Sequence, residues 1–307
     1  MRLFESTNIN FLGKRRIFYL VSLSIIVIGL ITLFIKGIPR GIDFLGGTEL
    51  QIRFEKEVDV HTIRSFMDNA GYSGMEIKTM GSDKDLLLRT PIQKEGTKVS
   101  EEIQEALKKS LPDNPFQVLR IDKVGPKIGK ELTQNALMAV ILSLIGILIY
   151  LAFRFQFIYA VGAVVALFHD VLITISAVAI FHALIPGLGL ELNSTMLAAF
   201  LTLIGFSVND TVIIFDRIRE NIKIYKNEDI ENVMNKSVNA TLSRTVITSG
   251  TVFLTIIVLL LFGGEVLRSF SFTFAVGIIT GTYSSVFVAS AIVVDWKHHL
   301  LKKGKVN

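Results

Sequence analysis

Any chemistry in this sequence has to begin with Asp210. It stands inside the run Leu201–Phe215, which is apolar enough to cross a bilayer, and Asn209 stands beside it. A carboxylate at the centre of a membrane helix costs roughly 2.5–3.5 kcal/mol on insertion scales, so a cation, a proton or water has to meet it. Moving a proton is the chemistry open to such a residue. Helical spacing puts Ser207, Asp210, Thr211 and Ile214 on one face, which predicts two hydroxyls of the same helix beside the carboxyl.

Two further anomalies lie in other apolar runs. His169 and Asp170, within Phe168–Val171, fall at mid-depth; they read either as a relay or as a polar pair that hydrogen-bonds across helices. Gly162 and Ala166 precede Asp170 and Thr174 at four-residue steps, a small-residue stripe that admits a neighbouring helix. Elsewhere Thr241, Arg244, Thr248, Thr251 and Thr255 recur every three or four residues as one polar stripe running into hydrocarbon. Arg244 could answer Asp210 as a counter-charge, or could simply extend to the head groups.

These residues need a membrane scaffold, and the composition supplies one. Half of the 307 residues are hydrophobic, more than one soluble core requires, and the excess falls in long runs. Six spans are expected, at roughly 17–35, 132–153, 157–181, 193–215, 244–262 and 268–294. The first follows Lys14-Arg15-Arg16 and has the length of a full span, without a small-x-small cleavage site, so an uncleaved helix is expected rather than a secretory signal. Helix 6 carries Gly277, Gly281, Ser285 and Ala289 at four-residue steps, the pattern of a packing seam.

Basic residues set the orientation. Arg2 and Lys14–Arg16, then Arg154, then Arg217, Arg219, Lys223, Lys226 and Lys236, and finally Lys297, Lys302, Lys303 and Lys305 flank alternate ends of the spans, whereas 182–192 and 263–267 hold no Lys or Arg. The expected layout is therefore a cytoplasmic N-terminus with helix 1 (1–36), an extracytoplasmic domain (37–131), helices 2–4 (132–215), a cytoplasmic loop with an amphipathic helix (216–243), helices 5 and 6 (244–294) and a basic cytoplasmic tail (295–307). The net charge of +5 is explained by this flanking pattern, and nucleic-acid binding is not expected.

The stretch between helices 1 and 2 reads as a folded module. Leu50, Ile52 and Phe54 alternate with polar residues as a strand; Val60, Ile63, Phe66, Met67 and Ala70 share a helical face closed by Gly71. Strands near 75–80 and 85–90, a helix behind Ser100 and a strand over 116–122 complete a β-α-β-β-α-β order, the ferredoxin-like α+β motif. Val124–Glu131 lacks the spacing of a phosphate loop and reads as a rigid turn into helix 2. With no cysteine, no zinc-type His spacing and no nucleophile-base pair, no cofactor, metal or enzymatic activity is expected.

Together these stretches resemble the SecF family of protein-export membrane proteins, within the resistance-nodulation-division (RND) superfamily. The matching residues are Gly41-Ile42-Asp43-Phe44-Leu45-Gly46-Gly47, Val124-Gly125-Pro126, Phe168-His169-Asp170-Val171, Gly205–Thr211 with Asp216–Asn221, Arg244–Gly250, and Phe262-Gly263-Gly264. The resemblance implies a subunit of the cytoplasmic membrane that pairs with SecD beside the SecYEG channel. There it uses the proton gradient to complete export of unfolded chains after the SecA ATPase. It also implies a proton pathway through Asp210 and Arg244, with a less settled role for His169 and Asp170. Two other classes stay open: half of an RND small-molecule exporter, which about ninety residues of outer domain make too small, and a scaffold in which Asp210 and Arg244 pair and never titrate.

Overall fold

The structure is a computed structural model and describes residues 7–302 apart from Gln93 and Glu95. Arg2, Lys303 and Lys305 of the expected basic flanks lie outside the described residues. Six helices are long and apolar enough to cross a membrane. The chain divides into two compact units, one comprising Met1–Ile38, Val140–Leu184 and Thr195–Asn307, the other Pro39–Ala139 and Ile185–Ser194.

The second unit is the sheet domain. Behind the spanning helix α1 (Arg15–Lys36) and the single turn α2 (Ile42–Leu45), the chain runs β1 (Gly47–Phe54), α3 (Val60–Asn69), β2 (Glu76–Thr79), β3 (Asp85–Thr90), α4 (Lys98–Ser110) and β4 (Phe116–Val124). The sheet is antiparallel in the order β2-β3-β1-β4, which is the ferredoxin-like arrangement. Alternation decides which face is covered: Leu50, Ile52 and Phe54 of β1 and Leu86 and Leu88 of β3 are buried with Ile63 and Met67 of α3 and Ile103 and Leu107 of α4. Asp59 caps α3 by accepting from the Thr62 amide at 3.0 Å. Gly46 and Gly47 have φ of 73° and 132°, a region closed to most side chains, and a Cβ on Gly47 would stand 2.5 Å from the Thr90 carbonyl oxygen. The expected domain lacked one piece: residues 185–194, between two membrane helices, belong to this unit, with Leu192 bridged in parallel to Arg40.

The first unit is the helix bundle. Besides α1 it contains most of α5 (Pro126–Arg154), then α6 (Phe157–Leu184), α7 (Ser194–Ile224), α8 (Ile230–Phe262) and a sixth span made of α9 (Gly264–Ser284), a π-helical segment (Ser285–Ala289) and α10 (Ser290–Lys302). Small residues let the helices meet. A Cβ on Gly29 of α1 would lie 2.0 Å from the Ser176 Cβ of α6; one on Gly162 would lie 2.9 Å from the Ala289 carbonyl oxygen, and Gly277 and Gly281 meet Leu203 and Ser207 of α7. By contrast α5 from Ala136 to Phe153 is apolar all round and mostly uncovered, with Phe153 90% exposed, as suits a helix whose solvent is lipid or another chain.

Helix ends differ from the sequence expectation in two places. The turn expected at 124–131 is confined to Gly125, because β4 ends at Val124 and Pro126 starts α5, where its fixed φ suits a first helical position and its missing N–H costs nothing. The loop expected over 216–243 shrinks to 225–229: α7 continues past Phe215 to Ile224, and the amphipathic stretch is the first half of one unbroken α8. No Gly or Pro occurs between Gly205 and Gly250 to stop either helix. Ile218 and Asn221 are buried rather than solvated, and Asn221 donates to the Ser237 hydroxyl at 2.8 Å.

Two glycine-to-alanine changes should therefore have opposite signs. Gly29→Ala should destabilise the purified protein by about 1–3 kcal/mol through overpacking. Gly146→Ala, with nothing within 4 Å of its Cβ, should be neutral or stabilising by up to about 1 kcal/mol. Thermal unfolding in detergent measures both.

Candidate functional site

The buried polar residues of the bundle form two clusters around two acids, each only 1% exposed. Asp170 on α6 is fully supplied. Its Oδ1 lies 3.0 Å from His169 Nδ1, and its Oδ2 accepts from the Ser207 hydroxyl of α7 at 2.5 Å and from the Ser284 hydroxyl at 2.8 Å. His169 extends the chain, with Nε2 2.9 Å from the Ser22 hydroxyl of α1, and Ser22 in turn bonds the Tyr283 hydroxyl. Tyr283 closes the row by donating to the Phe18 carbonyl at 2.9 Å. Every member is a group that can both give and take a proton, except the acceptor at the end.

Asp210 on α7 is sparsely supplied. Its Oδ2 accepts from the Ser249 hydroxyl of α8 at 3.1 Å, and Thr282 donates to Ser249 at 2.8 Å and also reaches the carboxyl. The two hydroxyls expected beside it are engaged elsewhere: Ser207 serves Asp170, and Thr211 bonds Ser285 at 2.8 Å. The shared face is as the helical spacing predicts, but each hydroxyl points to a different neighbouring helix. The acids are linked through α7, since Ser207 and Asp210 stand one turn apart, about 5 Å along the axis.

Arg244 does not pair with Asp210. Among the described residues no ion pair within 4.0 Å joins them; Arg244 is exposed on α8 and acts on Asp210 only as a charge through space. The rest of the polar stripe on α8 shares this open side from Thr248 onward. Thr248, Thr251 and Thr255 are exposed, each bonding the backbone of its own helix, Thr248 to the Arg244 carbonyl at 2.5 Å. Asn209 is exposed as well. Arg244, Thr248 and Asn209 thus lie on surface left open by this chain, while the buried side of α8 shows Thr241, Thr245 and Ser249.

The residues that sequence reasoning missed are four in a row. Thr282, Tyr283, Ser284 and Ser285 reach Ser249, Ser22, Asp170 and Thr211 respectively, so one stretch of the sixth span touches four other helices. The signal was present as four consecutive hydroxyls in an apolar span, but the four-residue steps single out only Ser285, as a member of the packing seam. The stretch runs into the π-helical segment, where the Ser290 hydroxyl donates to the Ser285 carbonyl five residues back at 2.9 Å. Such widened turns recur at functional sites.

Comparison with known proteins shows the family. The family model described as protein export membrane protein SecD/SecF, C-terminal, matches residues 102–299, and that of the SecD/SecF GG motif matches residues 31–58. The chain belongs to the SecF family. It is 44% identical to the protein translocase subunit SecF of Calditerrivibrio nitroreducens over 94% of both chains. It is 42% identical to that of Rhodothermus marinus over 96% of this chain and 95% of the relative. The crystal structure of SecDF, a translocon-associated membrane protein from Thermus thermophilus, superposes with a TM-score of 0.84 at 38% identity. That match covers 97% of this chain but only 40% of the solved one. This SecF-family chain is thus a multi-pass membrane protein of protein translocation with the six-helix layout and the small sheet domain of its relatives.

The two acids should differ in structural weight. Asp170→Ala removes three hydrogen bonds at roughly 0.6–1.7 kcal/mol each and should lower stability by about 2–5 kcal/mol. Asp210→Asn should lower it by less than about 1 kcal/mol, since the amide still accepts from Ser249. Thermal melting of the detergent-purified variants ranks them.

Proposed function

We propose that this chain is the SecF half of a proton-driven SecDF unit that promotes movement and release of exported chains at the SecYEG channel, in the cytoplasmic membrane with both termini inside. The observation that carries the reading is Asp210 itself: an acid buried in a span, held through hydroxyls and without an ion pair within 4.0 Å among the described residues. A locked structural pair would show a close cation, as the scaffold alternative requires. A carboxyl with few and neutral ligands can instead exist in both protonation states at modest cost.

In this scheme a proton entering from outside neutralises Asp210, and its release inside restores the charge that attracts Arg244. Each state favours a different spacing of α7 and α8. Asp170 and His169, joined to Asp210 through Ser207 and α7, serve as a relay or as the fixed side of the switch. Asn209, Thr211 and Thr248 flank the path without touching the carboxyl. One charge crossing about 100 mV yields about 2.3 kcal/mol, a bias of several tens-fold, so several protons per exported segment are expected. The open polar surface of α8, with Arg244 and Thr248, is where a SecD subunit would complete the path. The similarity to the Thermus thermophilus SecDF structure, of which this chain spans 40%, supports that pairing.

In vesicles holding this chain, its SecD partner and the channel, Asp210→Asn should abolish gradient-driven proton flux and lower gradient-stimulated export by at least ten-fold. Export driven by ATP alone should be unchanged. Flux and stimulation equal to the native protein would leave only the passive scaffold.

A further inference from the structure

Residues 185–194 join α6 to α7, yet they are held as no simple connection needs to be. Leu192 exchanges backbone hydrogen bonds with the segment before β1: its N–H donates to the Pro39 carbonyl at 2.8 Å, and its carbonyl accepts from Gly41 at 2.8 Å. Glu191 accepts from Arg89 of β3 at 2.7 Å and from Lys78 of β2 at 3.1 Å, and Leu190 is fully buried. The first amide of α7, on Ser194, donates to Asp43 Oδ2 at 2.8 Å. Gly41 permits the approach, since a Cβ there would stand 2.9 Å from the Asn193 Cβ.

The ionic part is built to persist. The Arg89 side chain is 8% exposed and also bonds Glu49 at 2.6 Å and Glu76 at 3.0 Å. Burial opposes the charge on Lys78, but its pairs with Glu76 and Glu191 prevail and hold the ammonium above its ordinary value. Burial likewise opposes ionised Glu76, and Lys78 and Arg89 outweigh it and keep the carboxyl below its usual range. Glu191 is thus held by two cations that other carboxylates already fix in place, Arg89 by Glu49 and Glu76 and Lys78 by Glu76.

The anchors are distributed unequally. All of them fall on Leu190–Ser194, immediately before α7, whereas the part next to α6 is one 3-10 turn, Pro186–Leu188, closed by the Leu188 amide on the Ile185 carbonyl at 2.9 Å and followed by Gly189 at φ 64°. We propose that Leu190–Ser194 is a clamp that makes the sheet domain follow α7, while the single turn and Gly189 on the α6 side, which bond only within themselves among the hydrogen bonds described, transmit less. Glu191, Asp43 and Gly41 are its positioning residues. The inference rests on the reading that α7, which carries Asp210, moves during the cycle, and it gives that motion one route to the domain.

The test places the same insertion on either side of the clamp, in the full chain reconstituted with its partner and channel. Two glycines after Asn193 should lower export stimulation at least five-fold, and two glycines after Gly187 should leave it within two-fold of native. Should the first insertion fail to fold, as judged by protease resistance and co-purification with the partner, Gly41→Val and Glu191→Ala decide. Gly41→Val leaves every charge in place, and Glu191→Ala leaves Arg89 with Glu49 and Glu76; both should lower stimulation two- to five-fold while retaining proton flux. Equal effects of the two insertions, or full stimulation in both point variants, would overturn the clamp. Failure of the proton reading shows separately, as native vesicles without Asp210-dependent flux.

Discussion

A carboxyl group in hydrocarbon has to be met at hydrogen-bond distance, and much of the bundle follows from the way side chains of this chain do so. Serine and threonine hydroxyls reach only a short way, so a helix that supplies one must approach closely, and close approach requires glycine or alanine at the crossing. Gly281 lies against Ser207, which in turn donates to Asp170; Gly162 lies against the backbone of the π-helical segment. The small-residue seams and the buried acids are one arrangement viewed from two sides.

The difference between the acids is informative. Asp170 has three side-chain partners drawn from two other helices and its own neighbour His169, which fixes the crossing of α6, α7 and the sixth span. Asp210, one turn from Ser207 on α7, is held among the described residues through Ser249 and Thr282. A rigid polar joint thus lies beside a lightly held acid on the same helix. In the proton scheme this division is useful, because a group that changes charge should not also be the one that holds the helices together.

Much of this was legible in the sequence, and the losses have physical causes. The six spans and the β-α-β-β-α-β order follow from hydropathy and period, and both are present. Asp170 and Asp210 were visible as charges where charges are expensive. What periodicity cannot give is the rotation of one helix against another: it groups Ser207, Asp210 and Thr211 without saying that three different helices receive them. It likewise marks the stripe of Thr248, Thr251 and Thr255 on α8 without showing that the residue turned toward Asp210 is Ser249, on the buried side with Thr241 and Thr245. The ends of α7 and α8 escape a reading in which charge marks the membrane exit, because charge does not stop a helix. The anchoring of 185–194 depends on Glu191 meeting Arg89 across 102 residues of sequence, a pairing no local pattern encodes.

The unbroken length of α7 has a mechanical consequence. Fourteen residues separate Asp210 from Ile224, about 21 Å of helix at 1.5 Å per residue, with neither proline nor glycine to absorb a bend. A rod of that kind acts as a lever: pivoting by about five degrees at the acid sweeps its far end by nearly 2 Å by simple geometry on that length. In the proton scheme, small changes around one carboxyl would in this way be magnified at the far end of α7 without any flexible joint between them.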